Sequence, residues 1–511
     1  MVSEFRNEPF LDFTGDAAAR EAQKQALESF TPVDAPLVIG GIRTTTKASI
    51  TSFNPCRPQS VVGKAAKASK AQAEKAMRIA YDAFPGWNRT SPAKRADILL
   101  RAAEILRRRR HELNATMILE VGKSWPEADA DTAEAIDFCE FYAREMLRYA
   151  EEQPLTPVKG ERNRLTYQGL GVGVVISPWN FPCAILTGMT TAALVTGNSV
   201  VLKPSSLAPA IGYKVVEALE EAGVPKGVLN FLPCSGGDVG DLLVEHPFTR
   251  FISFTGSRDV GLRINERAAH VPLGQRWIKR TVIEMGGKDA IVVDEDADLE
   301  AAATGIVASA FGFQGQKCSA CSRAILVEKV HDQVLDLVVQ KTKALKIGDV
   351  SDPDLQVGAV VDEKQRDKIL AYIEQGKKEG RLVAGGRKLA GAGHFIEPTI
   401  FADVAPEARI AREEIFGPVL AVLKATDCED ALRLANDSEY GLTGSFYGKA
   451  NLARARAEFY VGNLYLNRKS TGALVGGHPF GGFDMSGTNA KAGGRDYLRL
   501  FLEAKVVSER V

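Results

Sequence analysis

The feature that most constrains the fold of this chain is an alternation of short apolar runs with helical segments. The apolar runs of the first series are residues 172–177, 198–203, 228–232 and 251–254, and the helical segments between them are 187–196, 209–223 and 239–245. Strand, helix, strand repetition predicts an α/β fold with a parallel sheet and right-handed crossovers. Ligands of such sheets bind beyond the carboxyl ends of the strands.

A second alternation of the same kind follows Glu284. Its predicted strands are residues 290–293, 324–327, 382–384 and 419–424, and its predicted helices are 299–310, 330–344, 362–378 and 429–435. A second α/β unit is therefore expected. The region before the first series has helical periodicity at residues 71–84, 94–119 and 130–148, followed by a turn-rich arm at 152–168.

Composition argues against several kinds of partner. The 511 residues suffice for two or three domains, and the 64 basic and 64 acidic residues balance. Neither nucleic acid nor an anionic membrane is therefore expected as a partner, since both attract a basic excess. The N-terminus is polar and no uninterrupted apolar run has membrane-spanning length, which favours the cytoplasm.

The seven cysteines are scattered and odd in number, as expected of reduced thiols. Cys318 and Cys321 form a C-x-x-C pair, but no second pair or nearby histidine completes a zinc site, so no metal is expected. A thioredoxin-like redox role is the less favoured explanation of this pair.

The surroundings of Cys318 are those of a nucleophile. It lies in the run Gly312-Phe313-Gln314-Gly315-Gln316-Lys317-Cys318-Ser319, and an earlier run begins Glu284-Met285-Gly286-Gly287-Lys288. A thiol with a distant carboxylate, and no obligatory histidine, indicates thioester chemistry in which the carboxylate readies the hydrolytic water. A cysteine hydrolase would use the same two groups, so that enzyme class stays open.

Three predicted strands end on polar residues that could bind a ligand. These ends are Pro178-Trp179-Asn180-Phe181-Pro182, Lys203-Pro204-Ser205-Ser206 and Thr255-Gly256-Ser257. Asn180 could donate to an oxyanion, Lys203 could bond a ribose or a phosphate, and the glycine turn could open a helix that attracts phosphate. Ordinary turns or a solvated charge would explain each motif singly. In this order along one array they reinforce each other.

Together the motifs resemble the aldehyde dehydrogenase superfamily over nearly all of the chain. Beyond the runs above, the resemblance rests on Phe254-Thr255-Gly256-Ser257, Gly315-Gln316-x-Cys318, Glu413-Glu414-Ile415-Phe416-Gly417-Pro418, Asn467 and Pro479-Phe480-Gly481-Gly482. More narrowly, residues 274–280, 312–319, 472–476 and 480–491 are similar to one branch of that family. That branch oxidises L-glutamate γ-semialdehyde, formed from 1-pyrroline-5-carboxylate, to L-glutamate in proline catabolism.

The resemblance implies an NAD-dependent dehydrogenase. Cys318 would attack the aldehyde, the Asn180 amide and the Cys318 N–H would hold the oxyanion, and Glu284 would activate the hydrolytic water. The implied cofactor-binding residues are Ser177, Pro178, Trp179, Lys203, Ser205, Ser206, Gly256, Ser257, Gly261, Glu284, Gly286, Glu414 and Phe416. NADP is a weaker alternative to NAD, because Ser206 stands where many relatives have an acidic residue that would repel a 2′-phosphate.

The implied substrate is a short aldehyde with an α-carboxylate and an α-ammonium group. The substrate-binding residues that the resemblance implies are Glu134, Phe181, Lys317, Ser319, Gly472, Ala473 and Phe480. Among them, the amides of Gly472 and Ala473 would bind the carboxylate and Glu134 would face the ammonium group. Lys317 is expected to favour the thiolate of Cys318 by its positive charge. Glu134 could instead be an exposed helix carboxylate, and another semialdehyde or aliphatic aldehyde could be the substrate.

The implied architecture is aldehyde dehydrogenase-like, with two Rossmann-like α/β domains and a small β oligomerisation flap. Residues 1–151 and 172–283 would form the NAD-binding domain, 284–480 the catalytic domain, and 152–171 with 481–511 the flap. A flap that crosses onto a neighbouring subunit implies a homodimer or a higher homo-oligomer. A structural protein without activity is disfavoured, because the set Asn180, Glu284 and Cys318 is intact.

Overall fold

The computed structural model describes residues 4–511, apart from the side chain of Asp238. The N-terminal region consists of helix α1 (Ala17–Glu28), strands β1 (Val33–Ala35), β2 (Leu37–Ile39), β3 (Ile42–Thr44), β4 (Ser49–Asn54) and β5 (Arg57–Ala66), and helices α2 (Lys70–Asn88), α3 (Pro92–Arg108), α4 (Arg110–Val121) and α5 (Trp125–Ala150). The five short strands were not predicted. Strands β1, β5 and β4 form a small sheet of their own.

The single helix predicted at residues 94–119 is wrong, because the structure divides it into α3 and α4. Arg109 interrupts the helix with φ −91° and ψ 12°. The next residue, Arg110, is buried and donates from Nε and Nη2 to the two carboxylate oxygens of Asp129, at 2.7 Å each. The helix break is accompanied by a buried ion pair, and helical periodicity in the sequence does not predict such a pair.

The first predicted series forms a seven-stranded sheet. Its elements, preceded by strand β6 (Glu161–Gly169), are β7 (Val172–Ile176), α6 (Ala184–Val195), β8 (Ser199–Lys203), α7 (Pro209–Glu221), β9 (Leu229–Phe231), α8 (Asp241–Glu245), β10 (Thr249–Thr255), α9 (Arg258–Ala269) and β11 (Arg280–Glu284). The strand order is β11-β10-β7-β8-β9-β2-β3. Strands β7 to β11 run parallel, and β2 joins β9 antiparallel, so the N-terminal region supplies this edge.

The second series forms another seven-stranded sheet. In chain order, this part of the molecule contains β12 (Asp289–Val293), α10 (Leu299–Phe311), β13 (Cys321–Val327), α11 (His331–Lys343), α12 (Glu363–Glu379), β14 (Arg381–Ala384), β15 (Thr399–Ala402), α13 (Arg409–Arg412), β16 (Val419–Ala425), α14 (Cys428–Asn436), β17 (Tyr440–Gly441), β18 (Thr443–Tyr447), α15 (Leu452–Glu458), β19 (Asn463–Leu466), β20 (Phe483–Asp484) and β21 (Leu502–Arg510). Strands β17 and β20 pair with each other and β21 pairs with β6, so these three strands lie outside the seven-stranded sheet. The strand order of the sheet is β14-β15-β16-β13-β12-β18-β19. Among the described strands of this sheet, only β14 is antiparallel to its neighbour. Both sheets have apolar cores, and the predicted α/β fold class is confirmed.

The turn-rich arm and the C-terminal strand pair with each other. Strand β21 is antiparallel to β6 along its whole length, from Leu502 opposite Gly169 to Arg510 opposite Glu161. The two segments assigned to the flap therefore pair within one chain, while their contact with a neighbouring subunit stays a prediction. Among residues 4–511, no helix is long and apolar enough to cross a membrane.

Candidate active site

Four adjacent strands of the first sheet end on predicted site residues. In register, the end of β7 lies beside Lys203 of β8, and Thr255 of β10 lies beside Glu284 of β11. Because parallel strands share one carboxyl edge, Ser177, Lys203, Gly256 and Glu284 lie along the same edge of the sheet. The local strand ends thus bring together the residues that the sequence suggested.

The nucleophile follows a turn with left-handed backbone. Phe313, Gln314 and Gly315 have φ values of 49°, 56° and 66°. A left-handed conformation costs a residue with a side chain about 1–2 kcal/mol, so neighbouring contacts must hold the turn. The buried Gln314 side-chain amide donates to the carbonyls of Gly122 (3.0 Å) and Ala359 (2.8 Å). Gly315 is required for another reason as well, since a Cβ there would collide with the Gly417 carbonyl oxygen.

The Asn180 side chain is buried and oriented toward this turn. It is 5% exposed, and its Nδ2 donates to the Gln316 carbonyl at 3.1 Å. That bond uses one of the two amide hydrogens, which leaves one donor for another acceptor. The backbone N–H of Cys318 donates to no acceptor within residues 4–511. Two donors suited to an oxyanion therefore lie beside the thiol.

Glu284 is held by two backbone amides that come from a distant part of the chain. Its Oε2 accepts from the Gly482 N–H at 3.1 Å and its Oε1 from the Ala490 N–H at 3.0 Å. Burial nonetheless raises the pKa of Glu284 to about 8, against the opposing effect of these bonds. A carboxyl group with this pKa can accept a proton near neutral pH.

The expectation that Lys317 favours the Cys318 thiolate is wrong for the molecule without substrate. Burial raises the pKa of the thiol, and the charges of Asp289, Glu414 and Glu284 raise it further. The Lys317 ammonium group instead pairs with Glu127 at 2.6 Å. These surroundings therefore favour the protonated form of the Cys318 thiol.

A group of charged residues on α5 and the preceding loop lies near the residues predicted to bind the substrate. Lys123 is fully buried, lies 3.1 Å from Asp131, and stacks over the rings of Phe181 (4.0 Å) and Phe313 (4.5 Å). Sequence reasoning missed Lys123, Glu127 and Asp131. The available signal was the number of acidic residues on a helix that is otherwise buried.

Glu134 differs from the other carboxylates of this group. Glu127 and Asp131 each have a lysine partner, but Glu134 makes no hydrogen bond or ion pair with any residue the structure describes. Burial, followed by the charge of Asp131, raises the pKa of Glu134 to about 8. The alternative of an ordinary exposed helix carboxylate is wrong, since Glu134 is partly buried and lies near Lys123 and Lys317.

Gly472 and Ala473, which are predicted to bind the substrate carboxylate, lie in a loop that contacts Ser319. The Ser470 hydroxyl donates to the Ser319 carbonyl at 3.3 Å, and Gly472 has the positive φ, 80°, that its turn needs. The N–H groups of Gly472 and Ala473 donate to no acceptor in the described part of the chain. Phe480 lies beyond this loop and pairs through its backbone with Ala492. The loop thus contacts Ser319 through Ser470 and carries two N–H donors without a protein acceptor.

Several predicted cofactor residues are built as a ligand would need them. The Lys203 side chain is 7% exposed, and its ammonium group makes one long contact, 3.5 Å to the Pro204 carbonyl. The Ser177 hydroxyl is buried without a hydrogen-bond partner. Ser257 precedes α9 with an exposed side chain that does not cap the helix. These unused donors at one sheet edge fit the ribose and phosphate groups of a dinucleotide.

Glu414 and Phe416 are the residues predicted to lie at the nicotinamide end of the cofactor. Glu414 accepts from the Gly287 N–H at 3.1 Å, and a Cβ at Gly286 would collide with its carboxylate. Trp179 meets the Phe416 ring edge-on, with centroids 5.5 Å apart. Of the remaining predicted positions, Ser206 is exposed, Ser205 accepts from the Leu207 N–H, Gly261 packs on Met285, and Pro178 is buried beside Trp179.

Comparison with known proteins gives a consistent result. The sequence model of the aldehyde dehydrogenase family matches residues 42–507. A 1-pyrroline-5-carboxylate dehydrogenase of Geobacillus sp. (strain WCH70) is 60% identical, and the match covers 100% of both chains. The structure of a 1-pyrroline-5-carboxylate dehydrogenase from Thermus with bound NAD superposes with a TM-score of 0.98 at 53% identity, over 100% of both chains.

A longer protein contains the same unit. Proline utilization A from Bdellovibrio bacteriovorus matches with a TM-score of 0.97 at 44% identity, covering 99% of this chain and 53% of that one. With the Cys318, Asn180 and Glu284 geometry in place and these matches over its full length, the chain belongs to the aldehyde dehydrogenase family.

Proposed function

We propose that the protein oxidises L-glutamate γ-semialdehyde to L-glutamate with NAD, within proline catabolism. The observation that supports this substrate is that polar groups predicted to bind it have no partner within the protein. Glu134 is a partly buried carboxylate without a partner among the described residues, and Gly472 and Ala473 offer two N–H donors without a protein acceptor. A substrate with an α-ammonium and an α-carboxylate group would satisfy both.

NAD as the cofactor is supported by the related Thermus enzyme, which was solved with bound NAD. In this chain, Lys203 would hold a ribose hydroxyl, Ser257 and the start of α9 the pyrophosphate, and Glu414 the nicotinamide end. When bound, the nicotinamide accepts a hydride from the substrate. The exposed Ser206 has no negative charge that would repel a 2′-phosphate, so NADP is proposed as the weaker alternative.

In the first half of the reaction, the Cys318 thiol gives its proton to solvent and Sγ attacks the aldehyde carbon. The carbonyl oxygen becomes an oxyanion, which the free Asn180 hydrogen and the Cys318 N–H bind. Such preorganised donors cost no reorganisation when charge develops, because Asn180 is already fixed by the Gln316 carbonyl. Loss of hydride from this thiohemiacetal leaves a thioester on Cys318.

In the second half, Glu284 takes a proton from water as the water attacks the thioester. The carbon–sulfur bond breaks, the sulfur takes the proton that Glu284 accepted, and the product leaves as a carboxylic acid with the thiol of Cys318 restored. Glu284 must be deprotonated for this step. Burial raises its pKa to about 8, and the two amide donors oppose that rise, so Glu284 can exchange a proton near neutral pH.

The test of the substrate is a comparison of aldehydes. We expect kcat/KM with NAD to be higher for 1-pyrroline-5-carboxylate than for succinate semialdehyde or acetaldehyde. Glu134→Gln should raise KM for the amino-acid aldehyde by about 10- to 100-fold, because a charged hydrogen bond to the ammonium group is lost. Its kcat/KM for acetaldehyde, which has no ammonium group, should change little.

Glu140→Gln is the matched control for this comparison. Glu140 lies on the same helix and pairs with Arg144 at 2.6 Å, away from the substrate end. We expect wild-type kinetics from this variant. Equal losses on both aldehydes in Glu134→Gln, or a wild-type preference for acetaldehyde, would refute the proposed substrate.

The rate of thioester hydrolysis should rise with pH and level off above about 8, the pKa of Glu284. Below that pH most of the carboxyl is protonated, so each pH unit downward should slow hydrolysis by about tenfold. The measurement is the steady-state turnover of a chromogenic ester, whose acyl group is released in the same step without a charged substrate. A profile that is flat between pH 6 and 9, a range of about 3 units around this pKa, would contradict the assignment.

We also propose that the two sheets correspond to the NAD-binding and catalytic domains, and that the protein acts in the cytoplasm as a homodimer or higher homo-oligomer. The paired strands β6 and β21 support the oligomer, since they project as a two-stranded ribbon with largely exposed residues. Such a ribbon is marginal alone and gains stability when another surface covers it.

A further inference from the structure

Residues 482–491 form a segment that lies against the end of β11 and encloses Glu284. The Met285 N–H donates to the Ser486 carbonyl at 2.7 Å, and the Thr488 N–H donates to the Ile283 carbonyl at 2.8 Å. These bonds fix the segment on both sides of Glu284. The amides of Gly482 and Ala490 reach the two carboxylate oxygens from this position.

The Lys491 side chain links the two ends of this segment. Its Nζ donates to the Gly481 carbonyl at 2.8 Å and to the Gly462 carbonyl at 2.6 Å, and lies 3.4 Å from Asn463 Oδ1. The backbone of Lys491 has φ 54°, a conformation that favours glycine or asparagine. Because a positive φ is unfavourable for lysine, we infer that the contacts of the ammonium group offset the free-energy cost of this conformation.

We propose that Lys491 is a positioning residue for the general base. Its ammonium group ties the Gly481 carbonyl to Gly462, and so holds the Gly482 and Ala490 amides on the two oxygens of Glu284. The space is tight, since a Cβ at Gly481 would lie 3.0 Å from Glu284 Oε1 and 2.8 Å from the backbone nitrogen of Lys491. The proposal rests on the proposed function, in which Glu284 activates water.

The charge of Lys491 acts in the same direction as its contacts. Three titratable groups face Glu284 from the elements around it: Lys491, the thiol of Cys318 and the buried phenol of Tyr497. Lys491 is the cation among them, and it lowers the pKa of Glu284 against the larger effect of burial. Removal of its charge should therefore leave less carboxylate available at neutral pH.

The experiment compares acylation and deacylation by a chromogenic ester in Lys491→Met and the wild type. The pH midpoint of deacylation should move upward by roughly one pH unit, which slows deacylation at neutral pH by about tenfold. The acylation burst should keep its rate, because Cys318 performs that step. Lys491→Arg, which retains the charge, should restore most of the wild-type midpoint.

The matched control is Lys279→Met. Lys279 is a buried lysine whose ammonium, like that of Lys491, donates to a backbone carbonyl, that of Glu245 at 2.8 Å, at the opposite end of β11. Its variant loses the same charge and should leave the midpoint unchanged. An equal shift in Lys279→Met, or a Lys491→Met profile that superposes on the wild type, would overturn the proposal.

Two further variants separate the possible failures. If Lys491→Met does not fold, Lys491→Gln keeps two donors for the Gly462 and Gly481 carbonyls and removes only the charge, so the midpoint should still move. In a Glu284→Gln background, Lys491→Met should have no further effect on deacylation. If Glu284→Gln itself deacylates normally, the proposed function fails; if it does not and Lys491→Met is silent, only the role of Lys491 fails.

Discussion

Cys318→Ala should abolish oxidation of the aldehyde, with a loss of kcat of at least about 10⁴-fold. Cys318 supplies the sulfur of the thioester, whereas Asn180 and Glu284 supply only hydrogen bonds and proton transfer. The measurement is the formation of reduced NAD with 1-pyrroline-5-carboxylate, together with hydrolysis of a chromogenic ester. Both activities should disappear, since both proceed through the same sulfur.

Cys321→Ala is the control for this loss. Cys321 is buried, and its Sγ lies 3.4 Å from the Arg323 carbonyl, inside the second sheet. Removing one sulfur there creates a small cavity, so a modest loss of stability is expected without loss of turnover. Activity that survives Cys318→Ala, or that vanishes equally in Cys321→Ala, would refute Cys318 as the nucleophile.

Glu284→Gln should stop the reaction after the thioester has formed. General base catalysis contributes about 10²- to 10⁴-fold, so steady-state turnover should fall by that factor. The burst of reduced NAD should remain stoichiometric with enzyme, because acylation does not need Glu284 as a base. Intact-protein mass spectrometry should then detect the acyl group on Cys318.

The amide introduced by Glu284→Gln also faces two N–H donors, of Gly482 and Ala490, where a carboxylate oxygen stood before. One of these donors loses its acceptor, and a small decrease in thermal stability is expected. Glu413→Gln provides the comparison, since Glu413 pairs with Arg409 at the surface at 2.8 Å. An absent burst in Glu284→Gln would place the defect before thioester formation and contradict the assigned role.

The strands of both sheet centres were predictable because burial on both faces makes them continuously apolar. Strands β18 and β19 were missed for a related reason. Thr443–Tyr447 and Asn463–Leu466 contain threonine, glycine, serine and asparagine, and their strand conformation comes from pairing with β12 and with each other. Tertiary context decides such segments, and a local pattern cannot report it.

The features of the active site also fall into those that local sequence predicts and those that depend on the folded chain. Asn180, Lys203, Glu284 and Cys318 were predictable because each stands in a short motif that also sets the local backbone. The partner of Lys317 was not, since Glu127 lies 190 residues away and nothing in either local sequence indicates the pair. Adjacency to Cys318 suggested a charge on the thiol, while the folded chain turns that charge toward another carboxylate.

The hold on Glu284 has a consequence for the order in which the enzyme matures. A ribosome completes every strand of both seven-stranded sheets, the last ending at Leu466, before it adds Gly482 and Ala490. The thiol and its oxyanion donors are therefore synthesised well ahead of the two amides that seat the base. A nascent chain can acquire the means to capture an aldehyde before it can release the acid.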